Sequence, residues 1–414
     1  MAFPERGVPS DELITELRRL QDKDVAWRDG RVFTLVYDAG PEVHAVAERA
    51  FELFLHENAL NTQAFPSIGR IQRDLLGAVA DLLHGGERAA GFTTSGGTES
   101  LLMAVKAARD WARDTRGITK PEMVLPTSAH AAFAKASHYF GVRSVRVDVG
   151  ADWRADVDAM AAAITPNTVL VVGSAPGYPQ GVVDPIPDLA ALAQEHGILC
   201  HVDACMGGFL LPFLERLGRF DMPWDFRVEG VTSISADVHK YGYAPKGVST
   251  VIYANKELRR YQAFTTDDWL GGFYGSPSMP GTRPAGPLAA AWAVVNHLGV
   301  EGYLGLTERA HDAALVIRAA VDATDGLAIV GDPDATLFAI AGDGGLDVFA
   351  VGEALYRRGG WFLDRQTPPD SLHATVHAGH AAHVEEFVRD LAVAVTEVGA
   401  SAAADRDTTY GTVE

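Results

Sequence analysis

The feature that most constrains the fold is an alternation of short apolar runs with amphipathic helical stretches, which begins after Gly85 and Gly86. Seven runs rich in β-forming residues follow one another: AGFTT, MVLP, SVRVDV, TVLVVG, ILCHV, VTSIS and STVIY. Alternation of strand and helix patterns predicts βα units that assemble into a largely parallel sheet. We therefore expect an α/β fold whose large domain contains about seven mostly parallel strands.

The chain on either side of this region has a different pattern. Helical periodicity dominates the first 60 residues, and a long helical stretch that starts at Gly286 leads into shorter mixed patterns. We predict an N-terminal helical segment over residues 1–60, a large domain over 61–300 and a small α+β domain over 301–400. Residues 401–414 are predicted to be a flexible tail.

Charge and cysteine content exclude several classes of protein. The 54 acidic and 35 basic residues give a formal charge of −19, which disfavours a nucleic-acid surface or an anionic-membrane surface but still permits a basic pocket for one small anion. No stretch approaches the ~18 consecutive apolar residues of a membrane span. Cys200 and Cys205 are the only cysteines, too few for a disulfide framework or a paired zinc-ligand pattern. We expect a cytoplasmic protein.

A glycine pair joins the first of the seven runs to the helix that follows it. The segment TSGGTES, Thr94 to Ser100, places Gly96 and Gly97 just before a helical stretch. Backbone N–H groups at a helix N-terminus, reached through glycines, bind phosphate well. The alternative is an ordinary tight turn capped by Thr98 or Ser95, and the motif alone does not decide between the two.

Two further groups lie at the ends of predicted strands. Asp203 ends an apolar strand in HVDACMGG, and Lys240 follows the VTSIS strand in SADVHKYGYAPKG, 37 residues after Asp203. Because open α/β sheets bind ligands at the carboxyl ends of their strands, both side chains are expected at the crevice that holds the glycine turn. Asp203 alone is weak evidence, since such an aspartate is often a helix cap or a buried hydrogen-bond partner.

Pyridoxal phosphate is a cofactor that requires all three groups. Its phosphate needs a cradle, its aldehyde needs a lysine for the imine, and its pyridine nitrogen needs a carboxylate that keeps it protonated. A free lysine has a pKa near ~10.4 and is mostly unreactive ammonium at neutral pH. We expect the positive field of His239 and Lys246 to lower the pKa of Lys240.

Several further motifs occur in the same order as in one known enzyme family. TSGGTES, SAHAAFAKASHYFG, DPIPDLAALA, HVDACMGGFL, DFRVEGVTSISADVHKYGYAPKG, DDWLGGFYGSPSMPGTRP and PPDSLH closely resemble the sphingosine-1-phosphate lyase family, within the group II decarboxylase branch of fold type I pyridoxal phosphate enzymes. The resemblance extends from about Val36 to Val398. It implies the soluble bacterial form, because no counterpart of the amino-terminal anchor of the eukaryotic lyases is found.

The resemblance also implies roles for cofactor-binding residues. Lys240 would form the cofactor imine, Asp203 would pair with the pyridinium nitrogen, and His130 would stack on the ring. The remaining residues would hold the cofactor phosphate: Gly96, Gly97, Thr98 and the neighbouring His239. For His130, a helix cap or a core position is the alternative.

A second set matches positions near the substrate. Tyr178 would donate to the substrate oxygen or relay a proton, while Lys246 and Tyr37 would lie near a substrate phosphate and the acid/base step. Either tyrosine could instead be a packing residue, and Lys246 a solvated loop charge. Arg283 could bind an anion or form an interface ion pair. His373 and His377 could border the entrance or be structural, and Cys200 and Cys205 are predicted to be small buried packing residues.

One position departs from the family pattern. Asn61 stands where the family has a histidine associated with substrate phosphate. Asparagine donates a hydrogen bond but cannot carry a positive charge or shuttle a proton. The identity of the substrate is therefore less firmly predicted than that of the cofactor.

The resemblance implies retro-aldol cleavage of a phosphorylated long-chain amino alcohol, such as sphingosine 1-phosphate, to an aldehyde and phosphoethanolamine. One alternative is amino-acid decarboxylation on the same scaffold, since both reactions use the same electron sink. A second is a protein that binds pyridoxal phosphate without turnover.

The resemblance further implies a homodimer with shared active sites, in which the loop Gly271 to Pro277 is donated by the partner subunit.

Overall fold

A seven-stranded sheet forms the centre of the computed structural model, which describes residues 3–399 and 406–411. Its strands are β1 (Ala90–Thr94), β2 (Glu122–Pro126), β3 (Arg143–Val147), β4 (Thr168–Ser174), β5 (Leu199–Asp203), β6 (Ser233–Ala236) and β7 (Ser249–Tyr253). They lie in the order β1-β7-β6-β5-β4-β2-β3, and only β7 is antiparallel to its neighbours. The predicted α/β class, the seven strands and their mostly parallel arrangement are confirmed.

Helices cover the sheet and connect its strands. They are α1 (Ser10–Gln21), α2 (Pro41–Leu53), α3 (Pro66–Leu82), α4 (Gly97–Arg116), α5 (Ala132–Phe140), α6 (Val157–Ala162), α7 (Ile186–Glu195), α8 (Leu211–Arg216), α9 (Lys256–Arg259), α10 (Gly286–Asp322), α11 (Val348–Gly359) and α12 (Val384–Val398). Every residue of β2, β4, β6 and β7 is buried. Strands covered on both faces need near-continuous apolar sequence, which explains runs such as TVLVVG.

A second, four-stranded antiparallel sheet lies in the C-terminal region. Its strands are β10 (Leu327–Ile329), β11 (Leu337–Gly342), β12 (Asp364–Gln366) and β13 (Ser371–Thr375), in the order β10-β11-β13-β12. A separate hairpin pairs β8 (Phe264–Thr266) with β9 (Tyr274–Ser276). The proposed division at residue 300 lies inside α10, just after a kink at Gly299, where φ is 53°. The domain limits stay predictions.

The chain ends differ in how they contact the rest of the protein. None of the residues of α1 is buried, whereas Val32 forms a β-bridge with Phe362 in the C-terminal region. In the predicted tail, residues 400–405 and 412–414 lie outside the described residues. No helix in the described ranges is both long and apolar enough to cross a membrane.

The loop after β4 packs directly on the start of β11 through Gly181. This glycine has a φ of +72°, and a Cβ there would lie 1.8 Å from the carbonyl oxygen of Leu337. Gly181→Ala should therefore lower the free energy of unfolding by more than about 3 kcal/mol, since strain in the left-handed region and a backbone clash add together.

Gly141→Ala is the matched control, because Gly141 has a similar φ of +65° and a Cβ there meets nothing within 4 Å. This variant should lose only about 1–2 kcal/mol. Urea or thermal unfolding of the two variants measures the difference. Equal destabilisation would show that Gly181 is required only for its backbone conformation.

Candidate active site

A cavity of about 550 Å³ opens at the edge of the sheet where β1, β4, β5 and β6 have their carboxyl ends. This is the edge at which open α/β sheets bind ligands. The cavity contains all of the predicted cofactor-binding residues, and the predicted Tyr178 and Lys240 also line it. Its lining comprises Ser95, Gly96, Gly97, Thr98, Glu99, His130, Tyr178, Asp203, Cys205, Asp237, His239, Lys240, Met279 and Tyr410, with several further residues.

The glycine turn between β1 and α4 is open towards this cavity. No side chain caps the N-terminus of α4. Among the described residues, a Cβ placed at Gly96 would meet only His239 within 4 Å, at 3.4 Å. The carboxylate of Glu99 closes the turn instead, because its Oε2 accepts the backbone N–H and the hydroxyl of Ser95, both at 2.6 Å. The start of α4 can therefore receive an anion such as a phosphate.

Asp203 ends β5 with one carboxylate oxygen fixed and the other free. Oδ1 accepts the backbone N–H of Cys205 at 3.1 Å and the hydroxyl of Ser235 at 3.2 Å. Behind Ser235 lies His201, whose pKa burial lowers to about 4, so its ring is neutral. Within residues 3–399 and 406–411, Oδ2 of Asp203 accepts no hydrogen bond. This oxygen can therefore accept a hydrogen bond from a ligand in the cavity.

Lys240 forms an ion pair with Asp237, a carboxylate that the sequence analysis did not single out. Nζ of Lys240 lies 3.0 Å from Oδ2 of Asp237, which is buried. Burial lowers the pKa of Lys240, but the charge of Asp237, together with smaller contributions from Cys205, Tyr37 and Tyr410, holds that pKa well above its usual value. The prediction that His239 and Lys246 lower this pKa is therefore wrong for the amine as the structure places it, because a nearer negative charge dominates.

His130 lies at the start of α5 and also lines the cavity. Its Nδ1 accepts the backbone N–H of Ala132 at 3.1 Å, so the helix-cap reading applies as well. Burial lowers the pKa of His130, which favours a neutral imidazole. Tyr410 lies edge-on to this ring, with centroids 5.6 Å apart. The geometry leaves a neutral, flat ring available to a planar ligand.

A smaller cavity of about 180 Å³ adjoins the first and holds Tyr37 and Lys246. The two cavities share Tyr178, Met206, His239, Lys240 and Tyr410. Nζ of Lys246 donates to the carbonyl of His239 at 3.0 Å and lies 5.1 Å from the ring centroid of Tyr37. Lys246 keeps contact with solvent, yet desolvation by the surrounding protein, together with repulsion from Lys240, lowers its pKa to about 8.

Tyr178 joins the cavity to the C-terminal region. Its hydroxyl donates to Oδ2 of Asp364 at 2.8 Å, and Thr34 donates to the same oxygen. Burial and the charge of Asp364 raise the pKa of Tyr178, so the phenol keeps its proton. His373 packs behind this tyrosine, with ring centroids 3.9 Å apart. Asp364 is thus a second carboxylate that the sequence analysis missed.

Several residues considered in the sequence analysis lie elsewhere. Asn61 is exposed, and its Oδ1 accepts the backbone N–H groups of Gln63 and Ala64. Arg283 donates to Ser278 and to the carbonyl of Ala59. Neither Asn61 nor Arg283 lines either cavity, so this chain alone gives them no contact with a ligand there.

The two remaining histidines and both cysteines are buried. His373 and His377 line neither cavity, and Nδ1 of His377 accepts the backbone N–H of Gly379 at 3.2 Å. Burial raises the pKa of both thiols, of which only that of Cys205 borders the larger cavity. These positions fit the structural alternatives that the sequence left open.

Tyr410 is a residue of the site that no sequence motif indicated. It lies in the predicted flexible tail, yet its ring borders both cavities and lies 5.3 Å from that of Tyr178. Arg406 ties this segment to the C-terminal region through Asp370 at 2.6 Å and Asp347 at 3.1 Å. A lone aromatic residue in a polar tail was the only available signal.

Comparisons with known proteins identify the family to which this chain is similar. The model of the pyridoxal-dependent decarboxylase conserved domain matches residues 1–340. The sphingosine-1-phosphate lyase of Oryza sativa subsp. japonica is 42% identical over 400 residues, which cover 95% of this chain and 74% of that protein.

Two solved structures resemble the fold over nearly the whole chain. The sphingosine-1-phosphate lyase of Burkholderia pseudomallei has a TM-score of 0.92 and 40% identity, covering 96% of this chain and 93% of that one. Glutamate decarboxylase of Lactobacillus brevis has a TM-score of 0.85 at 20% identity, covering 97% and 96%, which shows a shared fold.

Proposed function

The chain belongs to the pyridoxal-dependent decarboxylase family, and we propose that it is a pyridoxal phosphate-dependent lyase that cleaves a carbon–carbon bond in a phosphorylated long-chain amino alcohol. The observation that carries the proposal is a pair of joined cavities. One has a glycine turn, Asp203 and Lys240, and the other has the cation of Lys246. The first suits the cofactor, and the second offers a place for a second phosphate, that of the substrate.

The residues present fit pyridoxal phosphate. The uncapped start of α4 offers N–H groups to the phosphate, Oδ2 of Asp203 can accept a hydrogen bond from the protonated ring nitrogen, and Lys240 provides the amine for covalent attachment. When bound, this cofactor supplies an electron sink that stabilises a carbanion on the substrate. We assign the phosphate to Gly96, Gly97, Thr98 and His239, and the face of the ring to His130.

Proton transfer is assigned to Tyr178 and Asp364. Because the phenol already donates to Asp364, it can take the proton of a substrate hydroxyl as it passes its own proton to the carboxylate. Loss of that hydroxyl proton is what retro-aldol cleavage between the hydroxyl-bearing carbon and the amine-bearing carbon requires. Tyr37, whose pKa is raised by burial, stays neutral and can donate a hydrogen bond to the substrate.

Lys246 is assigned to the substrate phosphate, and its charge should make turnover depend on pH. With a pKa of about 8, Lys246 is a cation below that pH and neutral above it. We predict that kcat/KM for the phosphorylated substrate falls as pH rises through about 8, since the ion pair with phosphate is lost. A dephosphorylated analogue should not lose activity over the same interval.

Lys246→Ala should weaken binding of the phosphorylated substrate at least about tenfold, because a hydrogen bond to a charged group is worth ~1.5–3 kcal/mol. Lys246→Arg is the matched control, as it keeps the charge and should move the alkaline limb to higher pH. An unchanged preference for the phosphorylated substrate in Lys246→Ala would remove the phosphate site from this cavity.

Incubation of the purified protein with sphingosine 1-phosphate and, separately, with a panel of amino acids tests the reaction type. We expect a long-chain aldehyde and phosphoethanolamine from the first and no carbon dioxide from the second. Carbon dioxide from an amino acid, without aldehyde formation, would establish the decarboxylase alternative. Bound cofactor with neither product would establish a binding protein.

We also propose a homodimer in which the partner covers apolar side chains that are exposed here. The β8–β9 hairpin exposes Trp269, Leu270 and Phe273, and Met279 beyond it borders the larger cavity. The helix α1 exposes a further set: Leu13, Ile14, Leu17 and Leu20. In such a dimer, Asn61 and Arg283 are assigned to the partner's cavity. Sedimentation equilibrium tests this proposal, and a monomer at micromolar concentration would refute it.

The buried, free thiols of Cys200 and Cys205 support a reducing compartment, so we place the protein in the cytoplasm. Fractionation of cells that express the full chain tests this location. Recovery outside the cytoplasmic fraction would contradict it.

A further inference from the structure

Asp237 is a buried carboxylate between the attachment lysine and the glycine turn. Its Oδ2 lies 3.0 Å from Nζ of Lys240, and the side chain is 1% exposed. A Cβ placed at Gly97 would lie 2.7 Å from the same oxygen. The carboxylate is therefore enclosed by the turn on one side and contacts the lysine on the other.

A chain of buried hydroxyl groups fixes the orientation of this carboxylate. Ser249 on β7 donates to Oδ1 of Asp237. The hydroxyl of Ser249 lies 2.9 Å from that of Ser100 on α4, which lies 2.6 Å from that of Thr94 on β1. Three elements thus hold Oδ1 through side chains that are at most 4% exposed. Oδ2 faces Nζ of Lys240 at 3.0 Å and, farther away, Nε2 of His239 at 3.7 Å.

The other groups that influence Lys240 cannot replace Asp237. They are the thiol of Cys205, the phenols of Tyr37 and Tyr410, the imidazoles of His130 and His239, and the cation of Lys246. Neither imidazole supplies a negative charge. At neutral pH, the thiol and phenols are uncharged because burial raises the pKa of each, and Lys246 repels a second cation. Asp237 is the negative group in direct contact with Nζ, so it determines where a protonated amine rests.

We propose that Asp237 is a positioning residue that holds Nζ of Lys240 whenever this amine is not joined to the cofactor. The proposal rests on the proposed function only in that Lys240 is the point of attachment. Lys240 is free before the cofactor attaches and again after a substrate amine has taken its place. In that exchange the substrate ammonium gives up one proton and the released lysine takes one up, so protons balance. The ion pair keeps the lysine in the cavity for its return.

The rate at which the cofactor attaches to stripped full-length protein tests this role. An ammonium has no lone pair for attack on an aldehyde, and each unit of lysine pKa changes the amount of neutral amine tenfold. Asp237→Asn removes the charge and keeps the shape. At saturating pyridoxal phosphate and neutral pH, it should raise the attachment rate constant about tenfold or more, and it should move the rise of this rate with pH to lower pH.

Asp225→Asn is the matched control, because it removes a buried carboxylate that pairs with Arg227 far from the cavity lining. Its attachment rate should equal that of the parent. Asp237→Ser, which also removes the charge, serves if the first variant does not fold. An unchanged or slower rate in a folded Asp237 variant would overturn the proposal. Failure of the parent to attach the cofactor at Lys240 would instead overturn the proposed function.

Discussion

Replacing Lys240 with alanine should reduce turnover by at least about 10³-fold, because covalent attachment and return of the amine are both lost. Lys240 lines the larger cavity together with the glycine turn and Asp203, and its Nζ lies 3.0 Å from the buried carboxylate of Asp237. The variant should also lose stability, because the buried carboxylate of Asp237 loses its ion-pair partner, so turnover is compared on folded protein. Product formation per mole of protein measures the effect.

Lys120→Ala serves as the control for this variant, because Lys120 is exposed and borders neither cavity. It should behave as the parent does. Turnover in Lys240→Ala within tenfold of the parent would mean that another group performs the covalent step. The proposed site would then be wrong.

Asp203→Asn should lower kcat on the order of 10²–10³-fold while leaving the cofactor bound. An amide carries no charge with which to hold a protonated ring nitrogen, so the electron sink weakens. The amide oxygen can still accept from Cys205 and Ser235, which keeps the end of β5 in place. Phosphate contacts at the glycine turn are unaffected.

The measurement for Asp203→Asn pairs kcat with the dissociation constant of pyridoxal phosphate. We expect a large change in kcat and a change of less than about tenfold in cofactor affinity. Loss of cofactor binding with normal turnover per bound cofactor would show that Asp203 holds the cofactor in place but does not keep its ring nitrogen protonated.

Much of the sheet was predictable because its strands are short, apolar and separated by helices. The position of β7 was not predicted, although the sequence contains a reason for it. β6 and β7 are joined by a 12-residue segment without a helix, whereas parallel neighbours are usually joined through a helix, so an antiparallel β7 is favoured. The order of the strands in the sheet also depends on contacts between elements that are distant in sequence, and local sequence patterns do not indicate these contacts.

The site was predictable where a strand end determines a side chain's position. Asp203 and Lys240 follow strands that end at one edge of the sheet, as does the glycine turn. Asp364 lies 186 residues from its partner Tyr178, and its contact depends on how the C-terminal sheet packs on the large one. Asp237 had a local signal that was overlooked, namely a carboxylate three residues before the lysine.

Asn61 and Arg283 were predicted to contact the substrate, but neither residue lines a cavity of this chain. Arg283 donates to Ser278 and to the carbonyl of Ala59, and the oxygen of Asn61 is occupied by backbone N–H groups of its own turn. A resemblance in sequence gives the neighbours of a residue along the chain but not the subunit whose ligand it contacts. Their assignment therefore depends on the proposed dimer.

Reduction of the cofactor-loaded protein with borohydride, followed by peptide mapping, tests the central claim most directly. We expect one modified peptide, with the label on Lys240. A label on Lys246 or Lys106, or no label at all, would contradict it, because the proposed roles of Asp203, Asp237 and the glycine turn all depend on attachment at Lys240.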